Sequence, residues 1–268
     1  MRLRDYSQSI PKPMVTIGYR PILWHIMKYY AHFGHKDFIL CLGWQADVIK
    51  QYFLNYEECI SNDFVLSEGG RSVDLLSSDI DDWNITFADT GTSSNIGQRL
   101  LAVEKYLGDD ETFLANYADG LSDLHLPQLI DFHRQNDAVA SLLSVKPAQS
   151  FHTVSTVADG RVSAITSIED AGVWINAGFF VLQREVFRYI RAGEELVCEP
   201  FDRLIEEERL YCMQHEGFFG CMDTFKEKQM LDDMYTRGDT PWELWKKLPQ
   251  QNIVYREVDC QSDPELVK

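Results

Sequence analysis

The feature that most constrains this chain is an alternation of two patterns between residues 21 and 145. Short apolar runs of strand length take turns with segments whose apolar residues recur at helical spacing. The runs are DFILCLG (37–43), NITFADTG (84–91), TFLANYADG (112–120) and AVASLLSV (138–145). Between them, Pro21 opens a helix carrying Ile22, Leu23, Ile26, Met27 and Tyr30, with Gly34 as its stop. QADVIKQYFLNY, GQRLLAVEKYL (97–107) and residues 127–136 read as further helices. Strands separated by helices predict βαβ units and an α/β fold with a mixed, mostly parallel central sheet.

The rhythm changes after residue 150. TVSTVADGRVSAITSI reads as two strands about Asp159-Gly160, a strong hairpin signal. VWINAGFFVL (173–182) continues the sheet, helices follow near 184–191 and 199–208, and LYCMQHEG is another strand. MDTFKEKQMLDDMY is a helix and PWELWKK closes the body. The acidic loop 74–82 and the end of the chain after Pro249 read as weakly structured. A doubly wound sheet ordinarily begins with a central strand. Here MRLRDYSQSIPKPM leads directly into a helix. The expectation is a sheet lacking its first strand, either rearranged or with that strand encoded upstream of Met1.

Bulk properties narrow the function. A net charge of −17 repels nucleic acid and anionic membranes, so a bound anion needs locally concentrated cations or a metal ion. No apolar run reaches the length of a membrane span, and no secretory signal is visible, which predicts a cytoplasmic protein. The six cysteines form no Cys-x-x-Cys pair, so reduced, mostly buried thiols are expected.

Asp119 lies in YADG at the C-terminal end of an apolar run, where open α/β sheets bind ligands. A carboxylate there suits a metal, although Asp-Gly also simply makes turns. Asp223 precedes a helix whose Thr224 and Glu227 fit a capping box, so it either accompanies a helix start or joins Asp119 on one Mg²⁺. Lys12 is stiffened by Pro11 and Pro13 and can present a point charge to phosphate, or be an ordinary loop lysine. DTGTSSNIGQR (89–99) offers hydroxyls and backbone donors to a nucleotide, and is equally an N-cap composition. Asp79 and Asp81 in SSDIDDW match an Asp-x-Asp metal signature, for which chance in an acidic loop is the better explanation.

Taken together, PKPMVTIGYRPILWHIMKYYAHFGHKDFILCLGW, DTGTSSNIGQRL, YADG, INAGFFVL, GFFGCMDT and PWELW resemble the sugar-phosphate nucleotidylyltransferases in order and spacing. KPM…GYRPILWHIMK with MDT and PW is similar to the glucose-1-phosphate cytidylyltransferase branch. The resemblance extends to about residue 247, implying one nucleotidyltransferase domain over 1–247 and a tail over 248–268. It implies a Rossmann-like fold and the reaction of CTP with α-D-glucose 1-phosphate to CDP-glucose and pyrophosphate, with Mg²⁺ as cofactor. It also implies a homo-oligomer, since relatives of the family are commonly oligomeric.

Residue by residue, the resemblance implies catalytic roles for Arg2, Lys12, Asp119 and Asp223, the two aspartates holding the metal. Ser94, Arg99 and Ala118 fall at nucleotide-contacting positions, and Glu169, Asn176 and Gly178 in segments lining a sugar pocket. Arg2-Leu3 fits the end of the family's glycine-rich phosphate loop, whose strand and glycines would lie upstream of Met1. Two departures stand out. Glu169-Asp170-Ala171 replaces the family's Glu-Lys-Pro, putting an aspartate where a phosphate-facing lysine is expected unless Arg161 substitutes. Ile96-Gly97-Gln98-Arg99 replaces Thr-Gly-Gly-Arg in the nucleotide loop. They leave open another nucleotide or sugar phosphate as substrate, and a catalytically impaired relative that only binds nucleotide sugars.

Overall fold

The computed structural model describes residues 10–147 and 151–246. Arg2 and the tail over 248–268 lie outside them. A one-turn 3₁₀ helix, Lys12–Met14, precedes the short strands β1 (Thr16–Ile17) and β2 (Arg20–Pro21) and helix α1 (Ile22–His32). Then come β3 (Asp37–Leu42), α2 (Ala46–Leu54), α3 (Glu58–Ser61), β4 (Phe64–Ser67), β5 (Ser72–Leu75), β6 (Asn84–Asp89) and α4 (Ile96–Val103). The middle holds β7 (Thr112–Asn116), β8 (Gly120–Ser122), α5 (Leu126–Gln135), β9 (Ala140–Val145), β10 (His152–Thr156), β11 (Val162–Ser167) and β12 (Ile175–Gln183). The chain finishes with α6 (Glu199–Glu206), β13 (Leu210–His215), β14 (Phe219–Cys221), α7 (Phe225–Thr236) and a 3₁₀ turn, Leu244–Lys246.

The principal sheet runs β13-β9-β12-β7. β13 is parallel to β9, while β12 is antiparallel to both β9 and β7. Three of its four strands therefore point one way and β12 opposes them. β3 and β6 form a separate parallel pair, and β8 with β14 a small antiparallel one. The fold is the expected α/β arrangement with a mixed sheet.

Burial follows the sequence pattern. Ile22, Ile26, Tyr29 and Tyr30 of α1 pack on Phe179 and Val181 of β12 and on Leu126 and Leu129 of α5. The opposite side of α1, with Leu23, Trp24 and Met27, packs on Leu42, Ile49 and Trp83. One helix thus joins the two parts of the core, which is why it is apolar almost all round. Trp242 of the PWELW segment is buried to 1% exposure and packs against Phe218, so that segment belongs to the body.

Several expectations need correction. The run 112–120 is not one strand: it breaks after Asn116, whose Oδ1 accepts the Ala118 amide at 2.8 Å while Ala118 adopts φ +61°. Residues 184–191 form only a 3₁₀ turn, Arg184–Arg188. The acidic stretch is structured too. β4 and β5 form a hairpin, and Asp79 is half-buried between Arg20, Lys28 and the Tyr56 hydroxyl. Asp81 instead accepts from Ser78, so the Asp-x-Asp pair is divided between two tasks. Cys41, Cys198, Cys212 and Cys221 are free thiols, but Cys212 alternates outward on β13 and Cys198 is exposed at the start of α6. Cys59 is disulfide-bonded.

Candidate functional site

The decisive geometry is a strand register. β14 runs antiparallel to β8 with Cys221 opposite Gly120. The Met222 amide then donates to the Asp119 carbonyl at 2.9 Å. This pairing brings two residues a hundred positions apart to one point, Asp119 entering β8 and Asp223 leaving β14. Gly120 permits the approach, since a Cβ there would stand 2.9 Å from the Phe219 ring. Beyond Asp223, Thr224 caps α7: its hydroxyl accepts from the Glu227 amide, and Glu227 accepts from the amides of Thr224 and Asp223. The capping box and the ligand role are therefore compatible, because the box fixes the backbone of Asp223 and leaves its carboxylate for the site.

Lys12 completes the cluster. Pro11 and Pro13 hold its turn, and its Nζ donates to Asp119 Oδ2 at 2.6 Å and to Asp223 Oδ1. One ammonium faces two carboxylates, so the cluster keeps a net negative charge. Burial pushes the Asp119 carboxyl above its ordinary range, against the pull of Lys12. Burial lowers the Lys12 ammonium, but its attraction to Asp119 and its bonds to both aspartates outweigh that and leave it raised. Cys221, which sequence reasoning did not single out, places its Sγ beside them, donating to Asp223 Oδ2 at 3.2 Å. Burial and the two carboxylates push its thiol well up. Donor atoms of Asp119, Cys221 and Asp223 lie within 4.8 Å of one another, a set that could hold a cation.

The other expected residues divide into two groups. Ala118 lies in the turn before Asp119, and its neighbour Tyr117 meets Asn176 and Gly178, the Tyr117 amide donating to the Gly178 carbonyl at 3.2 Å. Asn176 Nδ2 donates to the Tyr117 hydroxyl at 3.3 Å, and its Oδ1 accepts the Gly178 amide at 2.8 Å. Gly178 has φ +74°, and a Cβ there would meet the Tyr117 ring at 2.6 Å. Tyr117 therefore joins the turn of Asp119 to the bulge of β12, and burial pushes its hydroxyl up to about 12. An aromatic directly before Ala-Asp-Gly was the signal for it.

Arg99 and Ser94 work on the loop itself. Arg99 donates to the Cys41 and Ser94 carbonyls and to the Thr90 hydroxyl, tying the ends of β3 and β6 to the start of α4. The Ser94 hydroxyl donates to the Thr90 carbonyl. Both shape the 89–99 loop from within. Glu169 is exposed in the turn after β11, and among the described residues no hydrogen bond or ion pair joins it to the cluster. Arg161 pairs with Asp159 at the hairpin tip.

A two-aspartate and lysine cluster at a strand end suits a nucleotide's phosphates through a bridging cation. The chain belongs to the nucleotidyl transferase family, whose sequence profile matches residues 1–232. It is 38% identical over 250 residues to the glucose-1-phosphate cytidylyltransferase of Salmonella typhimurium, covering 91% of this chain and 95% of that one. It is 36% identical over 246 residues to the probable glucose-1-phosphate cytidylyltransferase of Bacillus subtilis, with the same coverage. Among solved structures, apo-UDP-glucose pyrophosphorylase shares the fold, with a TM-score of 0.63 at 14% identity over 87% of this chain and 93% of that one. Among the described residues no helix is long and apolar enough to cross a membrane.

Proposed function

We propose that this chain catalyses CTP + α-D-glucose 1-phosphate → CDP-glucose + pyrophosphate. A phosphate oxygen of the sugar phosphate attacks the α-phosphorus of CTP in line. A new P–O bond forms as the bond to the bridging oxygen breaks, and that oxygen leaves with pyrophosphate. The observation that carries the reading is the convergence of Lys12, Asp119 and Asp223 through the β8–β14 register. Base and sugar rest on identities of 36–38% to relatives with that name over nine-tenths of the chain.

Two carboxylates with oxygen donors at one point fit Mg²⁺. Asp119 and Asp223 would hold it, and bound there it would neutralise charge on the phosphates. The protein's own work is alignment. Lys12 offers an ammonium to phosphate oxygens and offsets one of the two carboxylate charges, the other being left for a cation to neutralise. Asn176 and the Tyr117 hydroxyl present adjacent polar groups for sugar hydroxyls. The loop closed by Arg99 holds Thr90, Gly91 and Ser94 toward the base. No side-chain nucleophile is required.

The test is pyrophosphate release with Mg²⁺ for CTP, UTP, dTTP and GTP, each against glucose 1-phosphate and mannose 1-phosphate. The expected result is release that is at least tenfold faster for CTP with glucose 1-phosphate than for any other pair. Faster turnover of another pair would overturn the assignment of base or sugar. Binding without release for every pair would leave a nucleotide-sugar-binding relative.

A further inference from the structure

A cavity of about 480 Å³ opens on the part of α1 near β2, lined by none of the residues of the Lys12 cluster. Its size is that of a small-molecule site. Tyr19, Trp24, Tyr235 and Trp245 supply aromatic surface. Trp24 meets Trp245 edge-on at 5.9 Å, and Tyr19 meets Tyr235 at 6.3 Å. Its charges are unusual for so acidic a protein. Arg20 and Lys28 share the single carboxylate of Asp79, and Lys246 pairs with Glu243. Three cations against two carboxylates leave this wall with one positive charge in a chain of net charge −17.

The wall also carries unmet hydrogen-bonding groups. Trp24 and His25 are 5% and 1% exposed, and among the described residues their Nε1 and Nδ1 atoms have no partner, whereas the Arg20 guanidinium bonds Tyr56, Ser61 and Asp79 and faces Tyr52. Native interiors rarely leave such groups unpaired. His25 Nε2 faces the Ile17 carbonyl, which can only accept, so Nδ1 is the lone-pair nitrogen. Ser61, Asn62, Ser77 and Ser78 on the same wall carry groups that both donate and accept, which matches a hydroxylated ligand. Aromatic faces suit a sugar or base ring, and the surplus cation suits a phosphate.

We propose that this cavity is a second ligand site, distinct from the Lys12 cluster, for a phosphorylated, hydroxylated ring compound: a nucleoside monophosphate or a sugar phosphate. The site adjoins both elements that carry the cluster. Tyr19 and Arg20 follow Lys12 within one short strand pair, and Tyr235 ends the helix that begins just after Asp223.

Equilibrium dialysis of the full chain with radiolabelled CMP, glucose 6-phosphate and inorganic phosphate tests the proposal and separates the two sources. The Lys12→Ala variant serves as background, so that binding at the cluster is weakened. The expected result is saturable binding of CMP or glucose 6-phosphate, at least tenfold tighter than inorganic phosphate and retained in Lys12→Ala. Adding Lys28→Ala or Lys246→Ala should weaken it at least fivefold, and Ser78→Trp should block it. Lys246 is exposed on the rim, and its variant therefore probes the site without disturbing the core. Loss of all binding with Lys12→Ala would overturn the proposal. So would inorganic phosphate binding as tightly as both ring compounds, or binding indifferent to all three cavity substitutions.

Discussion

At the scale of single residues, one charged and one neutral side chain each make a prediction. Lys12→Met removes the ammonium and keeps the length of the stem that carries it. It should lower kcat/KM about 10²–10³-fold, the scale for losing one electrostatic contact to a developing charge. Steady-state pyrophosphate release checks this, with circular dichroism to show that the fold survives. His25 makes a prediction about stability. Burial lowers its pKa from 6.5 to about 4, so the folded protein keeps it neutral while the unfolded chain takes up a proton. The stability it preserves is complete above pH 6.5 and is lost as pH falls toward 4, up to roughly 3 kcal/mol. Urea unfolding at pH 7 and pH 5 should therefore show a smaller difference for His25→Gln than for the parent chain. Lys12, Asp119 and Asp223 were each legible as charges in telling places. Their meeting was not, because spacing along a chain carries no distance. Cys221 and Tyr117 went unread because neither carries a charge that marks it, and only the β8–β14 register and the β12 bulge show what they touch.

At the scale of elements, the site depends on two joints. The first is the N-terminus of α7. Thr224→Ala breaks its capping box and should destabilise the protein by about 1 kcal/mol. The same change frees the backbone of Asp223, so activity should fall even where the chain remains folded; thermal unfolding and turnover, measured together, separate the effects. The second is the bulge of β12 at Gly178. Gly178→Ala must place a Cβ against the Tyr117 ring at positive φ. It should cost roughly 2 kcal/mol or more, by strain and overpacking. A denaturation midpoint equal to the parent's would contradict that. Helices and strands were readable wherever the apolar period was clean, as in α1 and β9. The β4–β5 hairpin was missed because Phe64, Val65 and Leu66 form an exposed apolar run without alternation. The break after Asn116 was missed because a side-chain acceptor, and no glycine or proline, turns the chain there.

At the scale of the whole molecule, the fold gathers Lys12, Asp119 and Asp223 from distant segments and leaves a separately lined cavity beside α1. The class of fold follows from alternation alone, and family membership from the ordered motifs. The arrangement of the sheet, with β12 opposed to its neighbours, needed coordinates because strand direction is set by crossovers that periodicity does not encode. What the proposed function requires above all is that two carboxylates, a hundred residues apart, act as one unit on a nucleotide's phosphates. The measurement that meets this claim head-on is pyrophosphate release by the parent chain, Asp119→Asn and Asp223→Asn across a Mg²⁺ titration, with CTP and glucose 1-phosphate. The account predicts that both substitutions lower turnover about 10³-fold, and that the double variant falls little further, as for groups acting as a unit. Parent-like turnover in either single variant, or losses in the two that simply multiply, would contradict it.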